Sequence, residues 1–134
     1  MNLHRVGLSE FQMALYFARV TDSRVREFTS DPNELKGTGR FWLNDDETAG
    51  YGITWHGEFI ALFNIGTPGK GKELVESAIR NGARLLDCFD GYLPTLYRSH
   101  GFVEFARVAN WTPGGPDVVY MALPAFLPTA HKVA

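Results

Sequence analysis

Cys88 is the only cysteine in a chain of 134 residues. An internal disulfide and a cysteine-built zinc site are therefore excluded, and the lone thiol fits a reducing, cytoplasmic compartment. Long hydrophobic runs are absent too. No stretch nears the ~20 apolar residues of a membrane-spanning helix, and the opening residues, Met1 to Gly7, carry no signal-peptide hydrophobic segment. Neither sign of charge is in excess: 13 Lys and Arg stand against 15 Asp and Glu, a net charge of −2. This argues against sequence-independent nucleic-acid binding as the main role. His4, His100 and His131 are too scattered to suggest a metal, and no internal repeat is visible.

What is present reads as a folded domain. Hydrophobic residues make up 45% and charged residues 21%, the balance of a globular protein with a real core. A single domain over 1–134 is expected, with 124–134 as a surface tail. Residues 3–8 read as an edge strand. Ser9 with Gln12 three residues on resembles a capping box ahead of an amphipathic helix over 10–20, its apolar face Phe11, Leu15 and Ala18 with Ala14 beside them. Residues 22–36 are polar and hold either a short second helix or a loop.

Three aromatic and β-branched runs follow, 40–44, 50–55 and 58–65, joined by short turns at Asp45-Asp46-Glu47 and His56-Gly57, as in an antiparallel meander. Helical spacing of Leu74, Val75, Ala78 and Ile79 predicts a helix over 71–81 stopped by Gly82. A strand over 84–89, a short helix over 92–100 and strands over 102–109 and 117–123 complete the pattern. The fold class is mixed α+β, with one central, mostly antiparallel sheet of six to seven strands and three to four helices.

The segment Gly66-Thr67-Pro68-Gly69-Lys70-Gly71-Lys72 joins a predicted strand to a predicted helix. Closely spaced glycines let backbone N–H groups converge, the helix start adds partial positive charge, and Lys70 and Lys72 add full charges. A phosphate or pyrophosphate suits such a place; an ordinary strand-to-helix turn is the plainer alternative. Gly66-x-x-x-x-Gly71-Lys72 matches most of a nucleotide-binding P-loop. The next residue, however, is Glu73 where Ser or Thr should hold Mg²⁺, and the preceding strands read as antiparallel.

A different resemblance extends further. Gly69-Lys70-Gly71 supplies the two glycine positions of the acyl-CoA pyrophosphate loop of the GNAT N-acetyltransferase superfamily, with Gly66 standing where that family carries Gln or Arg. Leu96-Tyr97-Arg98-Ser99-His100-Gly101-Phe102 resembles its downstream signature, and the element order is similar throughout. The resemblance implies a sheet splayed between its fourth and fifth strands, with acetyl-CoA as co-substrate. It implies that the pantetheine arm pairs with the backbone of Phe63, Asn64 and Ile65. The pyrophosphate would rest on N–H groups within 67–72, at Thr67, Gly69, Lys70, Gly71 and Lys72. It also implies direct acetyl transfer to a primary amine without a metal, and Tyr97 as the general acid serving the leaving thiolate.

An amine nucleophile must be neutral to attack, so a general base is expected. Glu58, at the start of the fourth strand, is the first candidate; His56, Asp87 and Asp90 are the others. Asp87 and Asp90 could instead bind a cationic substrate. His56 reads equally as an exposed turn residue, and Cys88 as an inert strand thiol. Trp42 and Trp55 could line the acceptor cleft, although most aromatics of the meander should be core. The expected activity is an N-acetyltransferase, monomeric or homodimeric, with an unidentified amine acceptor. A non-catalytic protein of the same fold, acting as a binding or interaction module, is the alternative.

Overall fold

The computed structural model describes residues 1–35 and 39–128. His131 and the end of the expected tail therefore lie outside the described residues. Among the described residues, seven strands and four α-helices run in the order β1 (Leu3–Val6), α1 (Leu8–Thr21), α2 (Ser23–Phe28), β2 (Gly39–Asn44), β3 (Ala49–Thr54), β4 (Phe59–Asn64), α3 (Gly71–Arg80), β5 (Leu85–Phe89), α4 (Tyr92–Arg98), β6 (Val103–Val108) and β7 (Val118–Ala122). The mixed α+β class and the strand number match the sequence reading. The strands form two antiparallel sheets, though, ordered β1-β2-β3-β4 and β5-β7-β6, where one sheet is expected. The chain divides into two compact units, residues 1–83 and 84–134.

The first unit is a four-stranded meander with helices on both faces. Phe11 of α1 packs on Phe41 at 4.8 Å and Phe63 at 5.8 Å between ring centroids, and Leu15, Ala18 and Leu43 complete that layer. On the opposite face Trp42 stacks on Tyr51 at 5.1 Å, and Tyr51 meets Phe59 edge-on. The hydroxyls of Tyr51 and Ser77 of α3 lie 2.7 Å apart, and Asn81 Nδ2 donates to the tyrosine oxygen at 2.9 Å. The buried phenol is thus paired, as a buried polar group must be. Burial raises its pKa, with the two hydrogen bonds opposing the shift.

Two local readings are corrected. Ser9 does not cap α1: Gly7 holds the N-cap position and no side chain bonds there. Gln12 instead donates through Nε2 to the Pro32 carbonyl, 2.9 Å away, so a tertiary contact takes the side chain that the capping box would have used. Trp42 is 6% exposed, with Arg5 and Arg40 over its ring, and belongs to the core. Residues 22–35 hold α2, capped by Asp22 through the Arg24 N–H, then one 3-10 turn at Pro32–Leu35.

In the second unit β7 is central, pairing with β5 on one side and β6 on the other. Helix α4 ends on a Schellman stop. The Phe102 N–H donates to the Tyr97 carbonyl, the Gly101 N–H to that of Arg98, and Gly101 sits at φ 98°, a backbone region only glycine enters at little cost. Phe102 then meets Tyr97 ring to ring at 5.9 Å, the apolar contact that accompanies this motif. A 3-10 turn, Pro124–Phe126, follows β7 and is exposed.

Candidate functional site

β4 is an edge strand of its sheet and is irregular. Gly50 pairs with Phe63 and Gly52 with Ile60, so Tyr51 faces both Ala61 and Leu62. This is a β-bulge, and Ala61 takes it up at φ 55°. An alanine there is strained by about 1 kcal/mol or more, and bulges of this kind re-aim an edge or end its pairing. The bulge also returns Ile60 and Phe63 to the same face, which seats Phe63 against Phe11.

The loop after β4 is anchored on the β2–β3 turn. The Ile65 N–H donates to the Thr48 carbonyl at 2.8 Å. Asn44 Oδ1 in turn accepts from the N–H groups of Thr48 and Ala49. A Cβ placed on Gly66 would lie 2.6 Å from Thr48 Oγ1. A side chain at position 66 would therefore crowd Thr48. Asn64 closes the turn with its side chain: Oδ1 accepts from the Gly66 N–H and Nδ2 donates to the Thr67 carbonyl, both at 2.9 Å. Asn44, Thr48 and Ala61 escape a reading by motif. Only the run of turn residues at 44–48 hinted at the first two.

Among the described residues, the backbone N–H groups of Thr67, Gly69, Lys70, Gly71 and Lys72 meet no protein acceptor. Those of Lys70, Gly71 and Lys72 open α3, where helix geometry leaves the first N–H groups without partners and favours an anion, and those of Thr67 and Gly69 lie in the loop before it. The side-chain charges are less free. Lys70 Nζ lies 3.0 Å from one oxygen of Glu73, and the amine of Met1 lies 2.8 Å from the other. The Met1 amine and then Lys70 hold the Glu73 carboxyl below its usual range. Lys72 is 4.0 Å from Glu76. The loop therefore offers mainly backbone donors, and its carboxylates would weaken an anion's attraction.

Tyr97, 5% exposed, comes from α4 in the second unit. Burial pushes its phenol well above the ordinary range, and the Cys88 thiol and Asp87 carboxyl act in the same direction. Tyr97 is therefore protonated at every physiological pH. Burial likewise raises Asp87, even though part of its side chain reaches solvent. The Cys88 thiol is pushed up to about 12, first by burial and then by Asp87, Asp90 and Glu104. A thiol so rarely ionised is a poor nucleophile. Asp90 is exposed but already paired: its Oδ2 accepts from Arg107 Nη1 at 2.7 Å, and Arg107 also forks onto Glu104.

Glu58 follows the β3–β4 turn and makes a β-bridge directly before Phe59, the first residue of β4. Its N–H donates to Thr54 Oγ1 and its carbonyl accepts from the Thr54 N–H. Along β4 this is about 20 Å from the glycine loop. His56 and Trp55 are exposed in the same turn, Trp55 at 66%. The structure thus gathers Phe63, Asn64, Ile65 and residues 67–72 into one segment of the first unit, and Asp87 and Tyr97 into one neighbourhood of the second. No group of three or more His, Cys, Asp or Glu among the described residues could hold a metal, and no helix is long and apolar enough to cross a membrane.

Comparison of the chain with protein-family models, with curated proteins and with solved structures finds no match in any of the three.

Proposed function

We propose that the protein is a GNAT-like, acetyl-CoA-dependent N-acetyltransferase acting on a primary amine in the cytoplasm, its single domain spanning 1–134. One observation carries this reading. A bulged edge strand, strained at Ala61, leads directly into a loop whose N–H groups are unclaimed at the opening of α3. An ordinary strand-to-helix turn has no need of the strain, and strain of this kind collects at functional sites. A P-loop reading is disfavoured because β4 is the antiparallel edge of a meander and Glu73 occupies the Mg²⁺-ligand position.

The donor set fits a pyrophosphate, since three backbone N–H groups at a helix start, with two more in the loop before it, are the chemistry such an anion needs. Thr67, Gly69, Lys70, Gly71 and Lys72 would hold that part of acetyl-CoA, and the edge at Phe63, Asn64 and Ile65 its amide-bearing arm. The bound thioester supplies an activated acetyl group. Tyr97 keeps a proton on its hydroxyl oxygen and can give it, or a hydrogen bond, to a departing thiolate. Asp87, exposed to solvent yet with its carboxyl raised by partial desolvation, is placed to deprotonate an incoming amine. Glu58 remains the other candidate, at the far end of β4.

Calorimetric titration with acetyl-CoA, CoA and ATP–Mg²⁺ tests the reading. Micromolar binding of both CoA species with ATP silent is the expected result. Silence from all three sinks it and favours a non-catalytic module of the same fold. The pairing of Lys70 with Glu73 is the observation on that side.

A further inference from the structure

The face of the first sheet that carries α3 also gathers arginines. Arg5 on β1 stands directly opposite Trp42 on β2, and Arg40 precedes Trp42 by two residues, so these side chains share one face. The guanidinium carbons of Arg5 and Arg40 lie 5.2 and 5.5 Å from the centre of the Trp42 ring. Arg40 then reaches the end of α3, where its Nη2 donates to the Asn81 carbonyl at 3.2 Å. Arg80 precedes Asn81 in the chain. Burial raises the Tyr51 pKa and, after its two hydrogen bonds, the charges of Arg80 and Arg40 oppose that rise, so both reach the same hydroxyl.

This group is incomplete in two respects. Arg5, Arg40 and Arg80 take part in no ion pair among the described residues; the arginines that do are Arg24, Arg98 and Arg107. Grouped like charges repel, so leaving them uncompensated is costly in a chain with more acidic than basic residues. Arg40 Nε, moreover, is buried without a hydrogen-bond partner, the one buried side-chain nitrogen or oxygen so left among the described residues. A buried donor on a charged group calls for an acceptor. A water molecule meets the second need and not the first.

Beside the arginines a cleft of about 340 Å³ opens between the start of β1 and α3, with Leu3, Ser77, Arg80 and Asn81 in its walls. Glu73 and Glu76 also line it, but they lie towards the start of α3 and already face Lys70, the Met1 amine and Lys72. Arg80 is about 14 Å along α3 from Gly71, so the cationic end is separate from the glycine loop.

We propose that Arg5, Arg40 and Arg80 bind a phosphate dianion, free or as the monoester of a small molecule, with one oxygen accepting from Arg40 Nε. Three cations exceed what a single carboxylate neutralises, and guanidinium groups match phosphate oxygens in geometry as well as charge. The Trp42 ring holds Arg5 and Arg40 in place before the anion arrives, and Arg80 closes on it from α3.

Nitrogen-15 NMR of the arginine Nε–H groups at low salt reads the site directly, with Arg40→Lys assigning the Arg40 signal. Titration with inorganic phosphate should move that signal to saturation with a Kd of about 1 mM or below. Arg5→Ala and Arg80→Ala should each weaken binding at least about fivefold. Their thermal unfolding should change little, both side chains being exposed. Arg26→Ala removes the same charge from an exposed position on α2 and should leave the Kd as in the wild type. Glycerol 3-phosphate binding more tightly than phosphate assigns the cleft to a phosphate monoester, and equal or weaker binding assigns it to free phosphate; either result supports the site. No saturable shift up to about 20 mM phosphate overturns the proposal. An unchanged Kd in both Arg5→Ala and Arg80→Ala overturns it as well, and means an adventitious ion only.

Discussion

The glycine loop of the first unit presents backbone N–H groups at an exposed surface, whereas Tyr97 of the second offers one hydroxyl inside a packed helix stop. The loop's donors belong to the main chain, so most side-chain changes leave them in place. What the loop cannot absorb is bulk or negative charge at its glycines, or a shift in the strand that aims it. Tyr97 has the opposite profile. Its ring packs against Phe102, a contact that phenylalanine at the same position would keep. If the proposed activity holds, the loop governs binding and Tyr97 the chemical step, so substitutions in each should act on different constants.

The sharpest test removes only the oxygen. Tyr97→Phe should lower kcat about 100-fold while acetyl-CoA affinity changes little, the signature of an interaction made in the transition state. Steady-state kinetics beside calorimetry would show it, and unchanged turnover would take the proton-donor role away. The mirror experiment is Gly71→Glu, which fills and charges the loop. It should weaken acetyl-CoA binding by about 30-fold or more, an effect of about 2 kcal/mol. Wild-type affinity in that variant means the loop holds no pyrophosphate.

Ala61→Val probes the strand that feeds the loop. A β-branched residue at φ 55° is a genuine outlier, so urea unfolding should report a loss of about 1–2 kcal/mol. Retained stability would mean that the bulge relaxes freely and stores no strain. Asp87→Asn should show the smallest effect. Burial raises the folded-state pKa above the ordinary 3.8, so the stability tied to the protonated form is present in acid and fades as pH rises through the folded value. The variant should melt slightly higher than wild type near about pH 7 and equally near about pH 3, with the gain limited because the carboxylate reaches solvent. A lower melting temperature at neutral pH would show that the carboxylate makes a favourable contact.

The element order was legible because each element carries its own period. Phe11, Leu15 and Ala18 mark one face of α1, and Gly82 and Gly101 mark helix ends. Leu96-Tyr97 through Gly101-Phe102 was legible for two reasons at once. It resembles a family signature, and it spells out a Schellman stop, in which an apolar residue four before the glycine meets the one after it. The stop by itself accounts for Gly101, Phe102 and the packing of the Tyr97 ring. The bulge at Ala61 was not legible, because Phe-Ile-Ala-Leu-Phe reads as an uninterrupted strand. A bulge depends on which residues the neighbouring strand places opposite, and Tyr51 acquires its two partners only when β3 and β4 pair. Gln12 was misread for a similar reason, its partner being a carbonyl twenty residues away.

Local residue choice alone determined the class of the fold, the position of the glycine turn and the inertness expected of Cys88, since propensity, turn chemistry and burial pattern act over a few residues. Tertiary structure decided the rest. It split the strands into two hydrogen-bonded sheets and pressed Thr48 against Gly66. It closed Tyr97 off from water. Each of these depends on groups brought together by folding, and the free energy of a contact or a buried charge is set by its neighbours in space.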